Sequence, residues 1–201
     1  ASRRFSIRTI RFGSLELSDL VGNLELAGGV LSLGSLRFGF LEGDVVADTS
    51  VVMAPPGTRR LELDAEMSGI DLSRLAELSM TGASDVSGNT RLVVDWGRKA
   101  FSSEINFTRI GRQTLESLLL AVDREEANPG VIKLRRFLAD YKVAPRRVEM
   151  RVRHGLASMR TEFDMGLRAK AAAGFVDGFD GDTFRTSPLP VSGFLSKMLR
   201  F

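Results

Sequence analysis

Residues 13–38 read GSLELSDLVGNLELAGGVLSLGSLRF and contain one short pattern four times. The pattern is Gly-x-Leu-x-Leu/Phe, and its copies begin at Gly13, Gly22, Gly29 and Gly34. Successive side chains of a strand point to opposite faces, so this period of two places both apolar residues of each copy on one face. Glycine supplies the turn before each new strand. Because the copies are too close for crossover helices, the region is predicted to form an antiparallel meander.

The composition is that of a soluble globular chain. Of its 201 residues, 43% are hydrophobic and 26% are charged, which leaves room for one large domain or two small ones. No window reaches the ~18 to 20 apolar residues of a membrane span. The absence of cysteine excludes disulfides, thiolate zinc sites and a cysteine nucleophile. The chain opens with Ala1 and without a signal-peptide pattern, so we expect a fragment of a longer protein or a processed chain.

Strand patterns continue after the four copies and are interrupted once by a helical pattern. Alternation of apolar and polar side chains predicts further strands at about 45–53, 61–67, 89–96 and 100–108. After the second of these, the apolar spacing changes to three and four residues, and Asp71 can cap a first turn. A short helical insert is therefore predicted near 71–79.

Two amphipathic helices are predicted between residues 111 and 141. The apolar residues of the first are Leu115, Leu118, Leu119 and Val122, and those of the second are Val131, Leu134, Leu138 and Tyr141. Asn128 can cap the second helix, and Pro129 suits its first turn. Alternation returns after Pro145 and predicts a hairpin around His154, whereas residues 171–187 are rich in Gly, Ala and Asp and show no clear period.

These elements predict a mainly β protein with a helical pair, of the α+β class. Residues 1–110 are expected to form the antiparallel β-meander with its short helical insert. Residues 111–201 are expected to hold the helical pair, a β-hairpin and a tail that continue the same sheet, so that the chain forms one domain. The helices are expected to pack on the sheet or over one end of it.

Residues 22–96 resemble the bacterial AsmA-like family of envelope proteins, which includes the TamB and YhdP relatives. The resemblance begins with the repeated Gly-x-Leu-x-Leu/Phe pattern and continues with Gly43-Asp44-Val45 and the strand at 61–66. The insert SGIDLSRL at 68–75 is its most specific part, and strand patterns return at 82–95. The likeness covers a little under half of the chain and leaves the helical pair outside.

The resemblance implies a long twisted sheet that is curled into a groove with an apolar interior. Members of the family are held at the inner membrane by an N-terminal helix and lie in the periplasm. They are associated with phospholipid movement between the two membranes and with outer-membrane integrity. The implied function is non-enzymatic binding or conduction of phospholipid along the groove. The alternative is a structural or interaction module of an envelope scaffold or secretion assembly, with its apolar face filled by side chains.

The candidate lipid-contacting residues are six leucines of the apolar face. They are Leu24, Leu26, Leu31, Leu33, Leu61 and Leu63. The two helices can cover this face as an ordinary core, or part of it can stay open to acyl chains, and both can hold at different places along one sheet. Exclusion of water would stabilise a bound chain by about 0.8 kcal/mol per buried methylene.

A basic segment runs from Lys133 to Arg153, with eight basic residues against two acidic ones. It can be a solvated face paired with carboxylates of adjoining strands, a contact for anionic lipid headgroups, or a nucleic-acid site. One Trp and one Tyr in the chain are too few for base stacking, so nucleic acid is not expected as a partner. The candidates for an anionic membrane surface are Arg135, Arg136, Arg146, Arg147, Arg151 and Arg153.

No catalytic residue, metal site or cofactor is predicted. His154 is the only histidine, and a nucleophile–base pair or a metal site needs more convergent groups than one imidazole, so it is interpreted as an exposed turn residue. Asp177, Asp180 and Asp182 lack the spacing and the terminal glutamate of an EF-hand loop. They are interpreted as part of a solvated loop.

Overall fold

The computed structural model describes residues 2–12, 15–52, 59–74, 85–98, 100–123, 128–153 and 155–190. These residues form twelve strands and three α-helices, with one 3₁₀ turn at Leu72–Arg74. The elements in chain order are β1 (Ser2–Phe12), β2 (Leu15–Ala27), β3 (Val30–Phe40), β4 (Gly43–Val52), β5 (Arg60–Asp71), β6 (Asp85–Asp95), β7 (Ala100–Arg109), α1 (Arg112–Val122), α2 (Pro129–Tyr141), β8 (Ala144–Arg153), β9 (Leu156–Asp164), α3 (Leu167–Ala173), β10 (Phe179–Asp180), β11 (Thr183–Arg185) and β12 (Leu189–Pro190).

The strands form one sheet in which neighbours pair antiparallel. Strand order follows chain order from β1 to β9, and β11 and β10 complete the sheet while β12 pairs with β9. The predicted antiparallel meander is confirmed for the described residues, and segments 1–110 and 111–201 both contribute strands to it. The prediction of a turn at every glycine of the repeat is wrong for Gly22 and Gly34, which lie inside β2 and β3. The sheet is neither closed nor strongly curled, so these strands do not form the curled groove that the family resemblance implies.

The strand register arranges apolar residues in rows that cross the sheet on one face. Directly paired residues of adjacent antiparallel strands lie on the same face. One row contains Val45, Met67, Gly88, Phe107 and Val148, and the next contains Leu36, Ala47, Ala65, Thr90, Ile105, Met150 and Met159. The opposite face is polar, because its rows carry Asp64, Arg91, Glu104 and Arg151.

The helices pack on the apolar face and cover its C-terminal end. Leu115 of α1 and Leu134 and Leu138 of α2 are fully buried, and they share one hydrophobic core with Val148 of β8 and Phe163 of β9. Full burial of one such side chain contributes about 1.5–3 kcal/mol. The apolar stripes thus hold the helices against β8 and β9. This agrees with the expectation that the helices pack on the sheet or over one end of it.

The two longest described helices fall in the predicted region. The side chain of Asn128 accepts a hydrogen bond from the backbone N–H of Val131 at 3.1 Å, and Pro129 occupies the first turn. Tyr141 is 40% exposed at the end of α2, and Phe137 takes a buried position beside it with ring centroids 4.9 Å apart. The predicted hairpin after Pro145 is confirmed as β8 and β9.

Regular structure occupies part of residues 171–187, where the sequence shows no clear period. The end of α3 and the strands β10 and β11 occupy much of this region. The core side of α3 is formed by Ala169 and Ala173, whose small side chains give little hydropathy contrast. Strands of two and three residues are too short to show a period of two.

The helical insert near 71–79 is described only in its first part. The Oδ1 atom of Asp71 accepts hydrogen bonds from the backbone N–H of Ser73 at 2.9 Å and from its hydroxyl at 2.6 Å. This cap precedes the 3₁₀ turn, in which Leu72 is buried. Residues 75–84 of the insert and residues 191–201 of the tail lie outside the described residues.

Candidate functional site

The six candidate leucines lie on the apolar face, beside the rows that the helices cover. The register pairs Leu24 with Leu33 and Leu26 with Leu31, and both rows continue across β4, β5 and β6. We call these two rows the leucine lane. Its residues are Leu24, Leu33, Thr49, Leu63 and Leu92 in one row and Leu26, Leu31, Val51, Leu61 and Val94 in the other.

The leucine lane is an apolar strip that the described elements leave open. Adjacent strands are spaced about 4.8 Å apart, so the five strands of the lane span about 19 Å, and its two rows are separated by about 7 Å along each strand. Each lane residue is at least partly exposed, and Leu26 is 59% exposed. Of the six candidate leucines, Leu33 and Leu63 are those that pack against the described core.

The lane is closed at its C-terminal end. Its first row continues through Ser103 of β7 to Val152 and Ala157, which are both buried. Ala157 and Leu118 of α1 line a small apolar gap of about 20 Å³ between the helices and the sheet. An elongated apolar ligand can therefore lie across β2 to β6, and the helical layer blocks its advance toward β9.

The leucine lane offers contact area and no group suited to catalysis. Thr49 is its one polar side chain, and the Thr49 hydroxyl donates a hydrogen bond to the backbone carbonyl of Glu62 at 2.7 Å. No lane residue is ionisable, so the lane holds neither an acid nor a base for proton transfer. The arrangement can bind an apolar molecule, and its specificity would rest on shape and length.

The six candidate arginines do not form one patch, because the structure places them on opposite sides of the sheet. Arg135 and Arg136 lie on α2, which packs on the apolar face. On β8, Val148 and Val152 are buried on that same face, so the alternating residue Arg151 points to the polar face. A single membrane-facing surface therefore cannot use all six.

Three arginines of β8 are paired with carboxylates. Arg146 lies 3.0 Å from Glu162 and Arg151 lies 3.0 Å from Glu104. Arg147 lies 3.1 Å from Glu149 of its own strand, and the hydrogen bond to Glu162 raises the pKa of Arg146. These contacts favour the alternative in which β8 is a solvated, paired face, and vesicle binding by a variant without these arginines tests contact with anionic lipid.

The acidic segment after α3 is tied to α2 and shows no metal cluster. Lys133 of α2 donates a hydrogen bond from Nζ to Oδ2 of Asp177 at 2.5 Å. Within the described ranges, no group of three or more acidic or imidazole side chains gathers in a way that could hold a metal ion. His154 lies outside the described residues.

Removal of the Lys133 ammonium should change the titration of Asp177. The hydrogen bond and the charge of Lys133 lower the pKa of the Asp177 carboxyl. A lowered folded-state pKa contributes stability above the unfolded-state pKa, and this contribution is lost as pH falls through the folded-state value. We expect Lys133→Met to raise the Asp177 pKa toward its ordinary value in a carboxyl NMR titration. Lys170→Met is the control and should leave it unchanged; equal pKa values in both variants would contradict the assignment.

One structural observation and three comparisons with known proteins bear on the identity of the protein. Among the described residues, no helix combines the length and the apolar character needed to span a membrane. In comparisons with family models, with curated proteins and with solved structures, nothing matched this chain.

Proposed function

We propose that this chain is part of a non-enzymatic cell-envelope protein of AsmA-like type, which binds phospholipid acyl chains on the leucine lane. The observation that carries the proposal is the partial exposure of two adjacent apolar rows across five strands. The resemblance of residues 22–96 supports the same ligand class. In this proposal the parent protein lies in the periplasm and is anchored at the inner membrane, where it carries phospholipid between membranes.

The open shape of the sheet determines how tightly such a lane can hold lipid. Each methylene removed from water contributes about 0.8 kcal/mol, and a chain that lies on one face removes only part of its surface from water. Binding is therefore reversible, which suits carriage more than storage.

The proposal is tested by placing a charge in the lane. We expect the double variant Leu26→Asp/Leu61→Asp to lower phospholipid bound by the purified chain about tenfold or more. A carboxylate against an acyl chain is costly to desolvate, and each tenfold loss corresponds to about 1.4 kcal/mol. Bound lipid is measured by native mass spectrometry, and transfer between donor and acceptor vesicles is measured by fluorescence.

Val46→Asp is the matched control, because Val46 is 44% exposed and lies on the polar face opposite the buried Val45. This variant should bind lipid as the unsubstituted chain does, with unfolding curves alike in all three proteins. Equal loss of lipid in the control would show that the lane has no special role. An unsubstituted chain without bound lipid and without transfer would favour the alternative, an interaction module of an envelope scaffold.

A further inference from the structure

The helix α3 has one apolar side buried in the protein and a second apolar side directed to solvent. Ala169 and Ala173 are buried against the core. On the outer side, Leu167 is 89% exposed and Phe175, just after the helix, is 91% exposed. No other large hydrophobic residue in the described part of the chain is as exposed as these two. Large apolar side chains exposed together on one side of a helix mark a candidate surface for contact with a partner.

The two exposed residues belong to one line along the helix. Gly174 has φ of −60° and ψ of −15°, and the N–H of Phe175 donates to the carbonyl of Ala172 at 3.0 Å, so the chain keeps a helical course past the end of α3. Residues four apart are offset by about 40° around a helix. Leu167, Ala171 and Phe175 therefore form one exposed apolar line, which we call the α3 stripe.

Basic side chains flank the α3 stripe. Arg168 and Lys170 are exposed on either side of it. Phe175 also borders an open cleft of about 420 Å³ between α2 and the turn after α3, where Arg136 and the half-exposed Tyr141 form part of the wall. The carboxylates nearby are Asp140, which lines the cleft, and Asp177, which is engaged by Lys133.

We propose that the α3 stripe is a docking surface for an anionic lipid bilayer, with Leu167 and Phe175 entering the interface. Apolar side chains on one line with Arg and Lys on both flanks are the features that bind helices parallel to a membrane surface. Long basic side chains can keep their charge among the headgroups while their stems cover apolar surface. This surface lies outside the leucine lane and goes beyond the proposed function.

The basic residues beside the α3 stripe favour binding to an anionic bilayer over binding to a second copy of this chain. Self-association through the stripe would bring Arg168, Lys170 and Arg136 of both copies together, and like charges repel at short range. An anionic surface attracts the same side chains, by about fivefold in affinity per basic residue near the headgroups. The attraction is screened within about 8 Å at physiological salt, so binding is salt-sensitive.

The test measures co-sedimentation of the full chain with phosphatidylglycerol vesicles and with phosphatidylcholine vesicles. We expect binding to the anionic vesicles at low salt and much weaker binding to the neutral ones. The double variant Leu167→Ser/Phe175→Ser should lower the partition coefficient about tenfold to a hundredfold, since burial of a single Phe or Leu accounts for a change of that size. Both side chains are exposed, so unfolding curves should stay unchanged.

Two control variants separate this surface from the others. Arg146→Gln/Arg147→Gln/Arg151→Gln alters the polar face of β8 and should leave vesicle binding unchanged. Leu26→Asp/Leu61→Asp should lose carried lipid and still sediment with vesicles, so the lane can fail without the stripe failing. Loss of binding in the arginine variant with retention in the stripe variant would overturn the proposal. So would a stripe-dependent dimer, detected by light scattering, in a chain that does not sediment with anionic vesicles.

Discussion

Replacing Phe184 with alanine should lower the free energy of unfolding by about 3–5 kcal/mol. Phe184 of β11 is fully buried, and its ring packs edge-on against Phe179 with centroids 4.9 Å apart. The ring of Phe179 in turn packs against Phe137 of α2, with centroids 4.6 Å apart, so Phe184 supports an aromatic cluster that joins the sheet to the helical layer. Movement of a single element cannot fill the space left by the ring. We therefore expect a loss of stability near the upper end of the range for truncation of a core side chain.

The measurement is a urea unfolding curve for each variant, with the slope compared as well as the midpoint. Phe175→Ala is the matched control, because it removes the same ring from an exposed position and should change stability by less than about 0.5 kcal/mol. Similar losses in the two variants would mean that the aromatic cluster around β11 does not stabilise the fold.

Replacing Gly88 with alanine should destabilise the protein by about 3 kcal/mol. Gly88 lies at an irregularity in the pairing of β6 with β7, and a Cβ there would approach the carbonyl oxygen of Asn106 to 2.1 Å and the Cα of Phe107 to 2.9 Å. These are backbone atoms of the neighbouring strand and cannot rotate away. The two strands must move apart, which weakens their hydrogen bonds in the middle of the sheet.

Gly34→Ala is the control for this change, since the nearest atom to its Cβ is the Asp48 Oδ1 at an ordinary 3.6 Å. It should be neutral or slightly stabilising, because alanine reduces the conformational freedom of the unfolded chain. Thermal unfolding of both variants checks the comparison. A Gly88 variant that melts with the unsubstituted protein would show that β6 and β7 tolerate a wider spacing.

The sheet could be predicted because its signal is local. In the strand 61–67, apolar and charged residues alternate one by one, and Leu63, Ala65 and Met67 of the apolar set pack in or against the core. The same period of two fixes which leucines share a face, since adjacent strands of a meander bring their apolar sides together. The co-facial placement of the six leucines follows from this pattern.

The extent of helical cover could not be read from the sequence. The apolar stripes of α1 and α2 predict that both helices pack on an apolar surface. Every row of the apolar face offers such a surface, so the stripes do not identify the rows that the helices cover. Leu36, Ala47 and Ala65, which share one row, are buried, whereas the rows of the leucine lane are open from β2 to β6. The rows that the helices cover depend on the positions of β7, which precedes the helices, and of β8, which follows them. These positions are set by the assembled sheet and not by a local pattern.

Charge pairing was also hidden from the sequence because its partners are distant. Arg151 and Glu104 are 47 residues apart, and they meet only because β7 and β8 pair in one particular register. Lys133 and Asp177 are 44 residues apart and belong to elements that the sequence interpretation treated as a helix and a loop. A count of basic and acidic residues along the segment therefore overstates its unpaired charge.

The agreement of strand order with chain order has a consequence for how the molecule folds and comes apart. From β1 to β7 each strand pairs with its immediate neighbours in the chain, so these contacts close short loops and the assembly resembles a one-dimensional array. Within the described sheet, β1 is held by its single interface with β2, while an inner strand such as β5 is held by two. Strands can therefore detach one at a time from the β1 end, while the aromatic core under the helices remains folded.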